Sequence, residues 1–245
     1  MPASPPFRMT SPESWLNKPS IAPSLTFLPL SAIFRNMTRS ASFAGVILAA
    51  GESSRMGRDK ALLPWPRVEG QLPSQDTFLS SAIKLLAHSS DFVVVVAGGN
   101  ESALAPVVYA HGASIIVNPD PSRGQFSSLQ IGLREILNRG RDAAMITLVD
   151  RPPAAAATVN TLREAFEAAP NNIWAVVPEF SGKHGHPFLA GREMIEHFLR
   201  EPVTSTARDV EHRYQQHIQY VPVEDPFVGL NINTPEDYAA LAPKS

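Results

Sequence analysis

The stretch Val46–Leu63 reads VILAAGESSRMGRDKALL. An apolar run stops at Gly51, and the nine residues that follow supply two serines, two arginines, a second glycine and a lysine. An unbroken apolar run suits a strand buried on both faces, and small residues with cations suit a turn that holds an anion. In a parallel sheet, ligands collect beyond the carboxyl ends of the strands. If Phe43–Ala50 is such a strand, the segment Gly51–Lys60 lies there.

The rest of the chain supports that sheet. FAGVILAA (Phe43–Ala50), FVVVVAG (Phe92–Gly98), SIIVN (Ser114–Asn118) and AAMITLV (Ala143–Val149) are continuous rather than alternating runs. They read as strands from the middle of a mainly parallel sheet. Thr77–Ala87, Ser127–Leu137 and Thr158–Ala168 have helical spacing and serve as crossovers. Beyond them, Trp174–Pro178, Pro187–Ala190 and Gln219–Val223 read as shorter strands, with helices at Glu193–Leu199 and Thr206–His212. NTPEDYAAL carries a helix-start signal: a capping side chain, proline in the first turn and acidic residues facing the dipole. The expected fold is α/β, with helices on both faces of the sheet.

Composition narrows the function classes. The formal charge is −2 and the pI about 6.4, which gives no general attraction to nucleic acid or an anionic membrane. The absence of cysteine excludes disulfides, thiolate metal sites and a cysteine nucleophile, and fits a cytoplasmic location. Seven of the 23 prolines fall in the first 29 residues. Residues 1–42 therefore read as a disordered extension, with Met37 as an alternative start, and residues 43–245 as one domain.

The spacing of the glycine loop excludes two common phosphate motifs. A Walker A loop needs G-x-x-x-x-G-K-[ST], whereas Gly51 and Gly57 have five residues between them and Lys60 follows three later. G-x-G-x-x-G is absent as well. What remains is an anion cradle of glycine N–H groups, the hydroxyls of Ser53 and Ser54, the Arg55 fork and the mobile charge of Lys60. A solvated basic turn is the alternative reading.

The order L-A-A-G-x-S-x-R-M-G-x-x-K-x-L-L (Leu48–Leu63) resembles the signature of MobA-like NTP transferases, which attach CMP or GMP to the molybdenum cofactor. The resemblance continues through NPDPSRGQFSSLQIGL (Asn118–Leu133), LVDRPPA (Leu148–Ala154), GHPFLAGRE (Gly185–Glu193) and LNINTPEDY (Leu230–Tyr238). It implies a Rossmann-like three-layer fold and Mg²⁺-dependent transfer of NMP from an NTP to a phosphorylated acceptor. Such a reaction needs charge neutralisation and in-line alignment more than an acid or a base.

The resemblance also implies roles. Ala49, Ala50, Gly51 and Gly57 would lie along the nucleotide, and Ser53 and Arg55 would hold its β- and γ-phosphates. Lys60 would bridge the α-phosphate and the acceptor phosphate. Asn118, Gly124 and Ser128 would serve base and ribose, a serine-capped helix start being the alternative for that segment. Asp150, at the end of a buried strand, would bind Mg²⁺, with Asn231 or Asn233 completing the shell from one face of a strand. The alternatives are a turn cap at Asp150 and a polar lead into the last helix at the asparagines. His186 would meet the acceptor. His184 and His186 lack a third ligand at metal spacing.

Arg151 departs from the glutamine common in the family, which puts the acceptor's identity in doubt. The L-A-A-G form leans toward CTP, because the Ala50 methyl narrows the room beside the base. A molybdoenzyme or maturation factor is the implied protein partner. Sugar-phosphate nucleotidyl transfer and a non-catalytic nucleotide-binding accessory role remain as alternatives.

Overall fold

The computed structural model describes residues 41–51, 53, 56–66 and 74–241, together with Met1 and Ala3. The chain divides into two units, Met1–Met37 and Thr38–Ser245. The expectations for the proline-rich extension and for Met37 fall outside the described residues, as do those for Ser54 and Arg55.

The second unit is built on an eight-stranded sheet: β1 (Phe43–Leu48), β2 (Phe92–Ala97), β3 (Ser114–Val117), β4 (Ala143–Leu148), β5 (Ala175–Phe180), β6 (Lys183–His184), β7 (Phe188–Gly191) and β8 (Ile218–Pro222). Its order is β3-β2-β1-β4-β7-β5-β6, with β8 also paired to β5. Pairing is parallel from β3 to β4 and between β5 and β8, and antiparallel where β7 meets β4 and β5. The sheet is thus mixed and mainly parallel. β3 is an edge strand rather than a middle one, and its half-buried residues follow from having β2 as its sole neighbour among the described residues.

Side-chain alternation along the strands divides the core into two layers. Ile47, Val93 and Val95 face one side, where they pack with Leu79, Ile83 and Leu86 of α1 (Phe78–Ala87), Leu104 and Val108 of α2 (Glu101–Ala110), and Val159 and Leu162 of α4 (Ala156–Ala168). Val46, Val94 and Val96 face the other, against α3 (Gln125–Asn138), α5 (Arg192–Arg200) and α6 (Ala207–Arg213). The result is the three-layer, Rossmann-like arrangement. The sequence reading missed α2, whose period is interrupted by Pro106 and which buries only Leu104 and Val108.

A third, smaller cluster positions the site. Met56, Leu63, Trp65, Phe78, Ile232 and Tyr238 pack together and tie the segment after β1 to the C-terminal segment. The Tyr238 hydroxyl donates to the Pro64 carbonyl at 2.8 Å. The last helix, α7 (Pro235–Ala239), starts as its sequence demands, with Thr234 and Asp237 forming a reciprocal capping box.

Candidate active site

The segment after β1 is held from below by residues that the motif reading did not single out. The Asn100 amide donates to the Ala49 carbonyl at 2.9 Å and to Asp59 Oδ2 at 2.6 Å, while its own oxygen accepts from the Gly98 N–H at 3.0 Å. Asp59 Oδ1 in turn accepts from the Ala61 N–H at 2.9 Å, starting the 3₁₀ turn Lys60–Leu62. The signal for this brace was the Gly98-Gly99-Asn100 turn after β2, by which one side chain reaches both ends of the β1 loop. Gly98 itself has no room to spare. A Cβ there would lie 2.8 Å from the Ala50 carbonyl oxygen and 2.8 Å from Pro121 Cγ.

Ser53 and Gly57 both adopt left-handed backbone, at φ 51° and 67°. For Ser53 this conformation costs about 1 kcal/mol. Ser53 Oγ accepts from the Lys60 N–H at 3.1 Å, which leaves its hydroxyl hydrogen to donate outward. Lys60 is nearly buried at 9% exposure, and its Nζ lies 3.5 Å from Asn233 Oδ1.

Asp150 follows β4. Its main-chain oxygen accepts from the Ile232 N–H at 2.8 Å, which brings the 231–233 segment beside it. Asn231 and Asn233 do not sit on a strand, as the sequence reading expected. That one main-chain bond and the burial of Ile232 in the third cluster hold the segment instead. Lys60, Asp150 and Asn233 therefore converge from three distant parts of the chain.

Asp150 Oδ1 is buried with no hydrogen-bond partner among the described residues. A buried carboxylate oxygen without a donor is costly unless something positive meets it. This donor set fits Mg²⁺, a hard cation that binds one or two carboxylates and keeps several waters. Among the described residues no three His, Asp or Glu side chains cluster as a metal site.

Asn118 is buried, and its amide donates to Ser127 Oγ at 2.8 Å and Ser128 Oγ at 2.9 Å while its oxygen accepts from the Asp120 N–H. Its side chain is spent on holding the start of α3. That helix is capped by Gly124 at φ 91° with no side-chain cap bond, not by a serine. Ala50, Gly51, Gly124, Gln125 and Ser128 line a small hollow of about 130 Å³. Leu48 and Pro121 complete its lining.

A second cavity, of about 290 Å³, adjoins the other side of Gly124 and Gln125. Leu48, Phe126, Leu129 and Phe188 give it apolar walls, and Arg123, His186, Glu211 and the polar 204–206 segment also line it. Gly185 makes the His186 turn possible, because a Cβ there would lie 1.9 Å from the Val228 carbonyl oxygen. That oxygen accepts from both the His186 N–H and Arg151 Nη1, each at 2.9 Å. Arg151 thus clamps the Asp150 turn to the 226–229 segment, and burial holds its guanidinium below the usual range.

His186 Nδ1 is buried without a partner among the described residues. Burial, then the nearby Arg151 charge, lowers the imidazole to about 3, so it stays neutral at physiological pH. His184 is exposed, 3.3 Å from Glu179, and stacks on Tyr220. Glu211, on α6, was not singled out from sequence. Burial pushes its carboxyl up to about 7, with Arg208 pulling the other way. Trp65 lies in the core, whereas half-buried Trp174 stacks against His217 and His197.

Comparison with known proteins adds the following. Residues 45–218 match the MobA-like NTP transferase domain. The molybdenum cofactor cytidylyltransferase of Escherichia coli K12 is 27% identical over 197 residues, 79% of this chain and 92% of that protein. A probable molybdenum cofactor guanylyltransferase of Mycobacterium avium is 30% identical over 207 residues, 84% of this chain and 98% of that one. The crystal structure of Rv0371c from Mycobacterium tuberculosis H37Rv superposes with a TM-score of 0.69 at 24% identity, covering 83% of this chain and all of that one. The same protein in complex with manganese gives a TM-score of 0.64 at 22% identity over 83% of this chain and all of that one. Among the described residues, no helix is long and apolar enough to cross a membrane.

Proposed function

This chain belongs to the MobA-like NTP transferase family, and from that premise we propose that it moves CMP from CTP onto a phosphorylated acceptor of molybdopterin type, with release of pyrophosphate. The observation that carries the proposal is the convergence of three segments: nearly buried Lys60 against Asn233, and the orphaned Asp150 carboxylate beside the 231–233 segment. A structural polar network would have paired that carboxylate. A site awaiting a polyphosphate and a divalent cation leaves it open.

In the reaction, an acceptor phosphate oxygen attacks the α-phosphorus, an O–Pα bond forms, the bond from Pα to the bridging oxygen breaks, and that oxygen leaves with pyrophosphate. Both nucleophile and leaving group are already anionic, so the chain's task is alignment and charge neutralisation. Lys60 holds the α-phosphate and the acceptor phosphate together against their mutual repulsion. Ser53 and Arg55 hold the β- and γ-phosphates, and the backbone of Ala49 to Gly51 and of Gly57 lies along the nucleotide, the Ala49 N–H itself being donated to the Val96 carbonyl. Asn118 keeps Ser128 and Gly124 in place beside base and ribose. Asp150, with Asn231 or Asn233, would hold Mg²⁺, which supplies Lewis-acid polarisation of the phosphoryl oxygens. A relative solved with manganese supports a divalent ion in this fold.

CTP is favoured over GTP because the Ala50 methyl lines the small hollow. The two relatives differ between cytidylyl and guanylyl transfer, so the choice rests on that methyl. The reaction is placed in the cytoplasm, where a molybdoenzyme or maturation factor would take up the product.

The test is pyrophosphate release from each of the four NTPs with Mg²⁺, using molybdopterin and a sugar phosphate as acceptors. CTP with molybdopterin should give the highest rate. Asp150→Asn should reduce it by about 10³-fold or more while the protein stays folded. Equal turnover of GTP and CTP would remove the base preference, and absence of release with every pair would overturn the enzyme reading.

A further inference from the structure

Lys60 is nearly buried, and its ammonium makes no ion pair among the described residues. Its one hydrogen-bond partner there is neutral, Asn233 Oδ1 at 3.5 Å. A buried cation without a counter-charge is costly, yet carboxylates stand close by. Asp59 is the preceding residue in the chain, and Asp237 feels the Lys60 charge. Both are engaged elsewhere. Asp237 Oδ2 accepts from the N–H groups of Asn233 and Thr234, at 2.8 and 3.0 Å, where α7 begins. Asp59 Oδ1 accepts from the Ala61 N–H at 2.9 Å, and its Oδ2 accepts from the Asn100 amide at 2.6 Å. Asn100 is fixed in turn by the Ala49 carbonyl and the Gly98 N–H, both at the ends of buried strands. Neither carboxylate is left free to turn toward the ammonium.

We propose that Asn100 is a positioning residue for the transfer reaction: by holding Asp59 Oδ2 it keeps that carboxylate off the Lys60 ammonium, which stays unneutralised for phosphate oxygens. That Lys60 meets phosphate rests on the proposed reaction, whereas the withheld ion pair rests on the hydrogen bonds alone. Were Asp59 released, its carboxylate and the flexible lysine stem next to it would close an ion pair in a nearly buried place, where salt screens little. Every entering phosphate would then have to break that pair. The geometry also accounts for the residue type. The position must donate to Asp59 and to Ala49 and accept from Gly98, and the asparagine amide carries two N–H donors beside an acceptor oxygen. Aspartate there would set one carboxylate against another. Serine suits the start of α2 equally well, but its hydroxyl falls short of Asp59.

The experiment measures binding of inorganic tripolyphosphate to the full chain by calorimetry, in buffer with Mg²⁺, beside pyrophosphate release from the four NTPs. Asn100→Ser should weaken tripolyphosphate binding about tenfold. Asn100→Ser combined with Asp59→Asn should return to within about threefold of wild type, because the released group no longer carries a charge. A merely structural Asn100 gives the opposite order, since Asp59 also starts the 3₁₀ turn and its replacement adds damage. Asp59→Asn alone should change the affinity by less than about threefold, a measurement that does not depend on how Asn100→Ser folds. Unaltered binding by Asn100→Ser would overturn the proposal. So would a double variant no better than the single one, a tenfold gain from Asp59→Asn alone, or no tripolyphosphate binding by wild type. Recovery of binding in the double variant without pyrophosphate release from any NTP would retire the transferase reading and uphold this one. Release by wild type with no recovery in the double variant would do the reverse.

Discussion

The two hollows beside Gly124 are neighbours of different construction. The smaller one is lined by the short residues Ala50, Gly51, Gly124 and Ser128 together with Leu48, Pro121 and Gln125, all from two short motifs. The larger one is assembled from β1, β4, β7, α3, α6 and the 203–206 segment, and its polar side chains include Arg123, His186, Thr204, Thr206 and Glu211. A surface of backbone and small residues suits the part of a substrate that every nucleotide shares. A surface of particular side chains suits the part that differs between acceptors. On the proposed reaction, the two hollows divide nucleotide handling from acceptor choice.

The steric demands at two glycines allow the hollows to be damaged one at a time. Gly185→Ala should have the largest effect, because its Cβ would overlap the main-chain oxygen of Val228, which no rotamer change relieves. A loss of about 2–4 kcal/mol is expected, seen as a thermal midpoint lower by roughly 5–10 °C. The acceptor KM should rise in the same variant while CTP affinity holds. An unchanged midpoint would mean that the 226–229 segment shifts freely.

Gly98→Ala is the milder counterpart on the nucleotide side. Its Cβ would lie 2.8 Å from the Ala50 carbonyl oxygen and from Pro121, overlaps that force a shift but are less severe than the 1.9 Å at Gly185. A cost of about 1–3 kcal/mol is expected, together with an NTP KM raised about tenfold and an acceptor KM little altered. Equal rises in both constants would show that the two hollows act as one.

The smallest effect is a pH dependence of stability that comes from the larger cavity. Glu211 is pushed from 4.5 up to about 7, so its contribution is fully present below about pH 4.5 and is lost as pH rises through about 7. The loss is at most about 3 kcal/mol, reduced by the group's partial exposure. His186 runs the other way. Its imidazole is lowered from 6.5 to about 3, so its contribution is present above about pH 6.5 and falls away as the solution is acidified through about 3. Arg123 and His186 share the cavity with Glu211, while Arg208 and Tyr220 also feel its charge. Thermal melts of wild type and Glu211→Gln should diverge progressively from about pH 4.5 to about pH 7, the variant losing less stability, and run parallel above that. Parallel curves throughout would mean that water reaches the carboxyl.

Most of the sheet was legible because buried parallel strands are written as unbroken apolar runs, and β1, β2 and β4 lie within a residue or two of those runs. The edge position of β3 was not, since a run of four residues does not record how many neighbours it has. Helix α2 escaped because proline inside a helix reads as a stop. Within the candidate site, Lys60 and Asp150 stood out because each follows a strand at the end where ligands collect. Asn100 and Asp59 did not, because their work is to hydrogen-bond other parts of the loop rather than to bear charge. Asn231 and Asn233 lie on irregular backbone rather than on the strand expected from sequence.

By itself the sequence determined the α/β architecture, the loop after β1 and the residue types available to meet phosphate, since these depend on local pattern and strand polarity. Only the tertiary structure decided that Asp150 keeps a buried oxygen unpaired, that Gly185 must admit the Val228 carbonyl, and that Glu211 faces the same cavity as His186. The reason is distance along the chain. Those facts are contacts between segments from 25 to more than 80 residues apart, set by how α6 and the 226–232 segment pack onto the sheet. Local pattern specifies the elements, and close packing between remote ones decides which polar atoms are left for a ligand.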